Sequence, residues 1–181
     1  MSTRDDVKRF RSLPIDFAAI EVEPGEGGGP YFCTPVGAEI MGWLGGIHFV
    51  LLPGDERVYC VDPEMGSEGT YVLPVAADFR GFLSYLLWCK CASPLAQIAW
   101  LDEAGFRRLL ADNAARTWPG CEETLRARDR ALALLAEAFR VSPRDPFAEV
   151  KALHNAFDPA GLAFSEEYYD VLGLEPPDLS R

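Results

Sequence analysis

The spacing of hydrophobic residues changes near residue 76, and this change restricts the folds open to the chain. Before it, short β-branched and aromatic runs are separated by turn residues, as in strands. After it, apolar residues recur every three or four positions, as on one face of an α-helix. The pattern predicts an α+β fold, with a largely antiparallel sheet in the N-terminal half, helices that cover it, and a helical C-terminal half.

The clearest local unit is a β-hairpin. Its two runs, Ile47–Leu52 and Arg57–Asp62, flank the turn sequence of residues 53–56, which suits a four-residue hairpin loop. The first run is apolar on both faces, which predicts a central strand. Thr70–Val75 is a predicted third strand, and Pro74 places it at or near an edge because proline lacks an amide hydrogen.

The segment before the hairpin has less regular patterns. Ile15–Val22 and Tyr31–Thr34 are predicted strands on either side of a loop over Pro24–Pro30, where six of seven residues are Gly or Pro. The apolar residues of Val36–Leu44 keep neither the strand nor the helix period, so both a strand and a helical turn stay open there.

Five helices are predicted after residue 76. The first begins after Asp78 as N-cap and carries a continuous apolar stripe that covers the sheet. The fourth has Asp145 as N-cap and Pro146 in its first turn. The other three are expected at about residues 94–112, 121–140 and 165–172, and the fourth extends to about residue 157.

We expect residues 1–181 to form a single domain, since a chain of this length can bury a substantial core. Residues 12–92 supply the sheet and its covering helix, and residues 93–174 supply a helical portion packed on it. No apolar run approaches the roughly 20 residues of a membrane-spanning helix. Residues 1–11 are charged and lack the apolar segment of a secretory signal, so we expect a cytoplasmic protein without membrane partners.

The acidic residues are unevenly distributed. The formal net charge is −11, which disfavours nucleic acid and anionic lipid as partners. Residues 12–78 contain eleven carboxylates and a single basic residue, Arg57, so the remainder of the chain is close to neutral. Such a segment is either a well-solvated surface or a docking face for a basic partner, and both interpretations stay open.

No residue pattern specifies catalysis or a cofactor. The serines lie in no nucleophile elbow, and the glycine loop contains Glu26 and runs into Pro30 rather than into a helix that could hold phosphate. The five cysteines are odd in number and lack the paired spacing of zinc knuckles, so we expect free thiols, no metal and no cofactor. A small metal-dependent enzyme stays open as an alternative, and its candidate side chains are Cys60, Cys89, Cys91, Cys121 and His48.

One stretch of the chain carries a family resemblance. Residues 46–63 (GIHFVLLPGDERVYCVDP), followed by residues 75–83 (VAADFRGFL), resemble the SUKH superfamily, which includes fungal cell-wall-synthesis regulators and bacterial immunity proteins. The similarity covers about residues 45–88. In that family a hairpin leads to a helix with the pattern Ala-x-x-Phe-x-x-Phe-Leu, matched here by Ala76, Phe79, Phe82 and Leu83. The resemblance implies an α+β sheet covered by helices.

The resemblance also implies a function without catalysis. It suggests an intracellular protein-binding module, of the immunity type that neutralises a basic toxin, and an acidic face would provide the electrostatic attraction. An intracellular regulator or scaffold of the same fold is the alternative. The hairpin loop and the strand exits should project carboxylates outward, and the candidate partner-binding residues are Asp55, Glu56, Asp62, Glu64 and Glu68.

Overall fold

The computed structural model describes residues 2–25, 29–68 and 70–176, with the backbone alone for residues 66–68. One antiparallel sheet has the strand order β1-β2-β3-β4. Helices occupy most of the chain after the sheet, so the predicted α+β fold is confirmed. The strands are β1 Glu39–Leu44, β2 Ile47–Leu51, β3 Val58–Val61 and β4 Val72–Ala76.

The predicted hairpin forms between β2 and β3, and β2 also pairs with β1, so it is central as expected. Strand β4 pairs with β3 alone and lies at the edge, as Pro74 predicted. The undecided segment before the hairpin is the strand β1. Gly45 and Gly46 link it to β2 in a two-residue turn, with Gly45 in the left-handed region at φ 55°, the conformation that tight hairpin turns require.

The observed helices agree with the predicted helices except at two places. In the described ranges they are α1 Thr3–Arg11, α2 Phe79–Cys89, α3 Ser93–Gln97, α4 Glu103–Ala115, α5 Cys121–Phe139, α6 Phe147–Ala156 and α7 Glu166–Leu172. The single helix predicted over residues 94–112 is wrong, because Leu101 is extended and Asp102 begins a new helix by accepting the Gly105 N–H at 2.7 Å. The N-cap of α6 is Pro146 and not the predicted Asp145, whose carboxylate accepts the Phe147 N–H at 3.1 Å from one residue before the cap.

The second exception is α1, which the charged N-terminal sequence did not suggest. Ser2 and Asp5 form a reciprocal capping box at its start. Val7 and Phe10 are fully buried on one side of the helix. Asp6 is also buried and pairs with Arg80 of α2 at 2.7 Å. This narrow stripe is what holds a mostly charged helix on the core.

Two predicted strands are wrong. Ile15–Val22 contains instead a 3₁₀ turn at Ala18–Ile20, and Glu21 follows it in the left-handed conformation. Tyr31–Thr34 is a turn in which the Thr34 N–H donates to the Tyr31 carbonyl at 2.9 Å. Both segments are apolar because they pack on the sheet and the helices, and burial alone does not require strand pairing.

The main core fills one face of the sheet. Phe49 of β2 packs on Phe82 of α2 with ring centroids 5.1 Å apart. Helix α5 contributes Leu132, Leu135 and Phe139 to the same cluster. The helical half therefore shares its core with the inner face of the sheet.

The outer face of the sheet has a second apolar cluster, formed by β2–β4 side chains such as Tyr59, Val61 and Val72. It is covered by residues 157–174, which we call the C-terminal arm. Tyr168 of the arm stacks on Phe164 at 4.0 Å and contacts Tyr71 edge-on at 6.0 Å. No side chain of the 3₁₀ turn or of α7 in this arm is fully buried, so the arm is held by half-buried aromatic contacts.

His48 is buried between the outer face and the turn that precedes β1. Its Nε2 lies 3.0 Å from the Thr34 hydroxyl, and its ring is 4.6 Å from that of Trp43. Its Nδ1 is buried without a hydrogen-bond partner in the described residues. Burial lowers the pKa of His48 to about 4.

We predict that neutral His48 makes stability fall on acidification. Its folded pKa lies below the unfolded value of about 6.5, so its contribution is complete above that value and is lost as pH falls towards 4. His48→Phe should therefore remove about 2 kcal/mol from the difference in unfolding free energy between pH 7 and pH 5. Urea unfolding of both proteins at each pH measures this difference. An unchanged pH dependence in the variant would contradict the prediction.

We also predict that Tyr168→Ala loosens the C-terminal arm without unfolding the main core. The Val36 N–H reports on the arm because it donates to the Ala163 carbonyl at 2.8 Å. Loss of the stacked ring should speed hydrogen exchange at Val36 about tenfold or more, and exchange in β3 should stay slow. Val171→Ala, at an exposed position on the same helix, is the matched control and should leave both unchanged.

Candidate functional site

Asp55, the first candidate residue, forms its contacts within the hairpin. Its carboxylate accepts hydrogen bonds from the Arg57 guanidinium at 2.6 Å and from the Tyr59 hydroxyl at 2.8 Å. Burial opposes its ionisation, but the bonds from Arg57 and Tyr59 prevail and lower the pKa of Asp55 to about 2. The side chain is 22% exposed. Asp55 therefore closes the hairpin loop.

Glu56 has a structural contact as well. Its carboxylate accepts the N–H of Thr3, the first residue of α1, at 2.8 Å. This hydrogen bond lowers the pKa of Glu56. A carboxylate at this position satisfies an N–H that the helix itself leaves unpaired, and it opposes the positive end of the helix dipole. Glu56 thus attaches the N-terminal helix to the hairpin.

The remaining candidates lie at the other end of β3. The Glu64 N–H donates to the Asp62 carboxylate at 2.9 Å, and the Glu64 side chain is exposed. The Glu68 side chain lies outside the described residues. Asp55 and Glu56 precede the four-residue strand β3, and Asp62 and Glu64 follow it. The predicted acidic residues therefore form two separate groups, one at each end of the strand.

The C-terminal arm adds carboxylates that were not among the candidates. The Asp62 N–H donates to the Tyr71 carbonyl, and Tyr71 contacts Tyr168 of the arm, so the arm lies beside the strand exits. A cavity of about 310 Å³ between β4 and the arm includes Asp158 in its wall. We call the following exposed or half-exposed residues the acidic face: Asp62, Glu64, Asp158, Glu166, Glu167 and Asp170.

The charge of the molecule is more segregated than the chain average suggests. Residues 152–176 contain five carboxylates and no Lys or Arg. With residues 12–78 they carry a formal charge of −15, so the rest of the chain is positive at +4. The missing signal was the absence of basic residues from the C-terminal segment. This signal alone does not place the segment, because only the structure shows that the segment packs on the sheet.

The acidic face lacks counter-charges within the part of the chain that the structure describes. Arg57 is paired with Asp55, and Arg11 is paired with Glu39 at 3.1 Å. Among the described residues, no Lys or Arg forms an ion pair with any carboxylate of the acidic face. These carboxylates are therefore free to pair with cations outside the chain.

Four of the five cysteines lie in surroundings that keep their thiols protonated. Burial raises the pKa of Cys33 to about 11 and that of Cys91 to about 12, and it also raises the pKa of Cys60 and Cys89. A thiolate nucleophile or metal ligand requires the opposite shift. In the part of the chain that the structure describes, no three His, Cys, Asp or Glu side chains are grouped as a metal ion requires.

Comparison with known proteins adds no relative. No family model, curated protein or solved structure matches this chain. Across residues 2–25, 29–68 and 70–176, no helix combines the length and the apolar character needed to cross a membrane.

We predict that Asp55→Asn destabilises the protein at neutral pH. The depressed pKa means that the ionised form is stabilised in the folded state, a contribution present above about pH 4 and lost as pH falls through 2. The substitution should cost about 2 kcal/mol of unfolding free energy at pH 7. Urea unfolding measures this cost. Glu64→Gln, on an exposed side chain without an ion pair, should cost about 0.5 kcal/mol or less, and equal costs for the two variants would contradict the role of Asp55.

Proposed function

We propose that this protein is a non-enzymatic protein-binding module whose acidic face takes a basic protein partner. The observation that carries the proposal is the set of carboxylates without ion pairs at the exit of β3 and on the C-terminal arm, in a chain that is net positive outside residues 12–78 and 152–176. Surface carboxylates of one sign that have no counter-charge in the protein repel one another and give no folding stability of their own. A cationic partner would relieve this repulsion.

Electrostatic attraction of this kind acts mainly on the rate of association. Complementary charges steer two proteins together and can raise the association rate by one or more orders of magnitude. The effect depends on salt, because the Debye length is about 8 Å at physiological ionic strength. A partner held by the acidic face is therefore expected to dissociate when salt is raised.

The resemblance of residues 45–88 to the SUKH superfamily supports an immunity-type function. A toxin that acts on nucleic acid carries a basic surface, and an acidic protein that covers this surface would block access of the phosphate backbone. The same chemistry would serve a regulator or scaffold with a basic client. The activity of the captured partner distinguishes these two roles.

The test is capture of partners from the native host's lysate by the tagged protein, with identification by mass spectrometry. We expect a basic protein to be retained at about 50 mM salt and released at about 500 mM. Glu64→Lys with Asp170→Lys should reduce its retention about tenfold. Both side chains are exposed and form no ion pair, so the fold should be unaffected.

The matched control reverses two exposed carboxylates on the helical side, Asp112→Lys and Glu137→Lys. They too form no ion pair among the described residues, and both double variants change the formal net charge by the same amount. The control should retain the partner as well as the unmodified protein does. Equal retention by the acidic-face variant, or capture of an acidic protein that resists salt, would contradict the proposal.

A further inference from the structure

A second surface feature, unrelated to the acidic face, lies among the helices. A cavity of about 360 Å³ opens where the turn after α2 meets the end of α4 and the first half of α5. Its volume is in the range of cavities that hold small molecules. The groups that concern binding are Glu21, Cys91, Asn113, Arg116, Trp118 and Arg128.

One wall of the cavity is fixed by Glu21. This residue adopts the left-handed conformation at φ 60°, which is uncommon for a residue with a side chain. Its carboxylate accepts the Ser93 N–H at 2.9 Å, and its negative charge contributes to the raised pKa of the Cys91 thiol. The negative charge of Glu21 is therefore already engaged by the protein.

Arg128 lies in the wall of this cavity, and its side chain as a whole is 25% exposed. Its Nε–H is buried and has no hydrogen-bond partner among the described residues. Arg128 forms an ion pair with Asp129, whose carboxylate lies 3.8 Å from Nε, beyond hydrogen-bond distance. A buried donor that is left unpaired costs about 1–3 kcal/mol, so such groups commonly mark a missing partner.

Three further groups in the wall are also free. Among the residues that the structure describes, the side chains of Asn113, Arg116 and Trp118 form no hydrogen bond, ion pair or ring contact. Trp118 is 44% exposed, a large fraction for an indole ring. Two guanidinium groups and an amide thus surround the cavity beside a flat aromatic surface.

From this arrangement we infer that the cavity binds a small anion, a carboxylate or phosphate group attached to an aromatic ring. Guanidinium groups bind such anions through paired charge-assisted hydrogen bonds. The ring would lie on the indole of Trp118, where stacking adds affinity. Leu125 supplies an apolar contact in the same wall. Net positive charge at this cavity, in a chain of net charge −11, matches an anionic ligand.

The test is titration of the protein with phenyl phosphate, benzoate, inorganic phosphate and benzyl alcohol, followed by NMR at the Trp118 indole N–H. At least one of the two aromatic anions should shift this signal with a dissociation constant of about 1 mM or tighter. The aromatic anion with the lower dissociation constant shows whether the cavity prefers a phosphate or a carboxylate group. Inorganic phosphate should bind about tenfold more weakly than phenyl phosphate, and neutral benzyl alcohol should not shift the signal.

Two variants and one control locate the binding. Arg116→Gln and Arg128→Gln should each weaken binding about tenfold or more. Arg116 is exposed, so its replacement tests the site even if that of Arg128 disturbs folding. Arg108→Gln removes the same charge from α4 outside the cavity and should leave binding unchanged. Absence of binding by both aromatic anions, or equal loss in all three variants, would overturn the inference.

Discussion

The fold depends on one strand that is apolar on both faces. Phe49 and Leu51 of β2 point into the main core, and Val50 points into the outer cluster. A strand of this kind must be covered on both sides, because either exposed face would leave a large apolar surface in water. Helices α2 and α5 cover the inner side. The C-terminal arm, which comes from the far end of the chain, covers the outer side.

This requirement explains the position of the acidic face. The arm is placed by its aromatic residues, Phe164 and Tyr168, which fit the outer cluster. The carboxylates of the arm are exposed to solvent on the same short segment, and Asp62 and Glu64 follow the end of β3 beside it. Apolar packing therefore overcomes the repulsion between like charges. The repulsion that remains is an electrostatic cost to the isolated protein and a gain for binding a cation.

Local patterns predicted the parts of the fold whose interactions are local. The β2–β3 hairpin, the edge position of β4 and the helix after Asp78 followed from turn residues, a proline and a cap. Ile15–Val22 is not a strand because its apolar residues pack without pairing, and α1 was not predicted because its buried apolar stripe has only two residues, Val7 and Phe10. The acidic segment was visible in sequence, but its continuation on the arm depends on contact between Tyr71 and Tyr168, residues distant in the chain.

Contacts within the protein decide which carboxylates are available to a partner. Asp55 already accepts hydrogen bonds from the Arg57 guanidinium and the Tyr59 hydroxyl, and Glu56 already accepts the Thr3 N–H at a helix terminus. A basic partner that engaged either one would have to replace these contacts, so the net gain would be small. Glu64 and Asp170 lose only water on binding. The energetic argument therefore removes the hairpin loop from the surface that the sequence predicts, keeps the strand exits and adds the C-terminal arm.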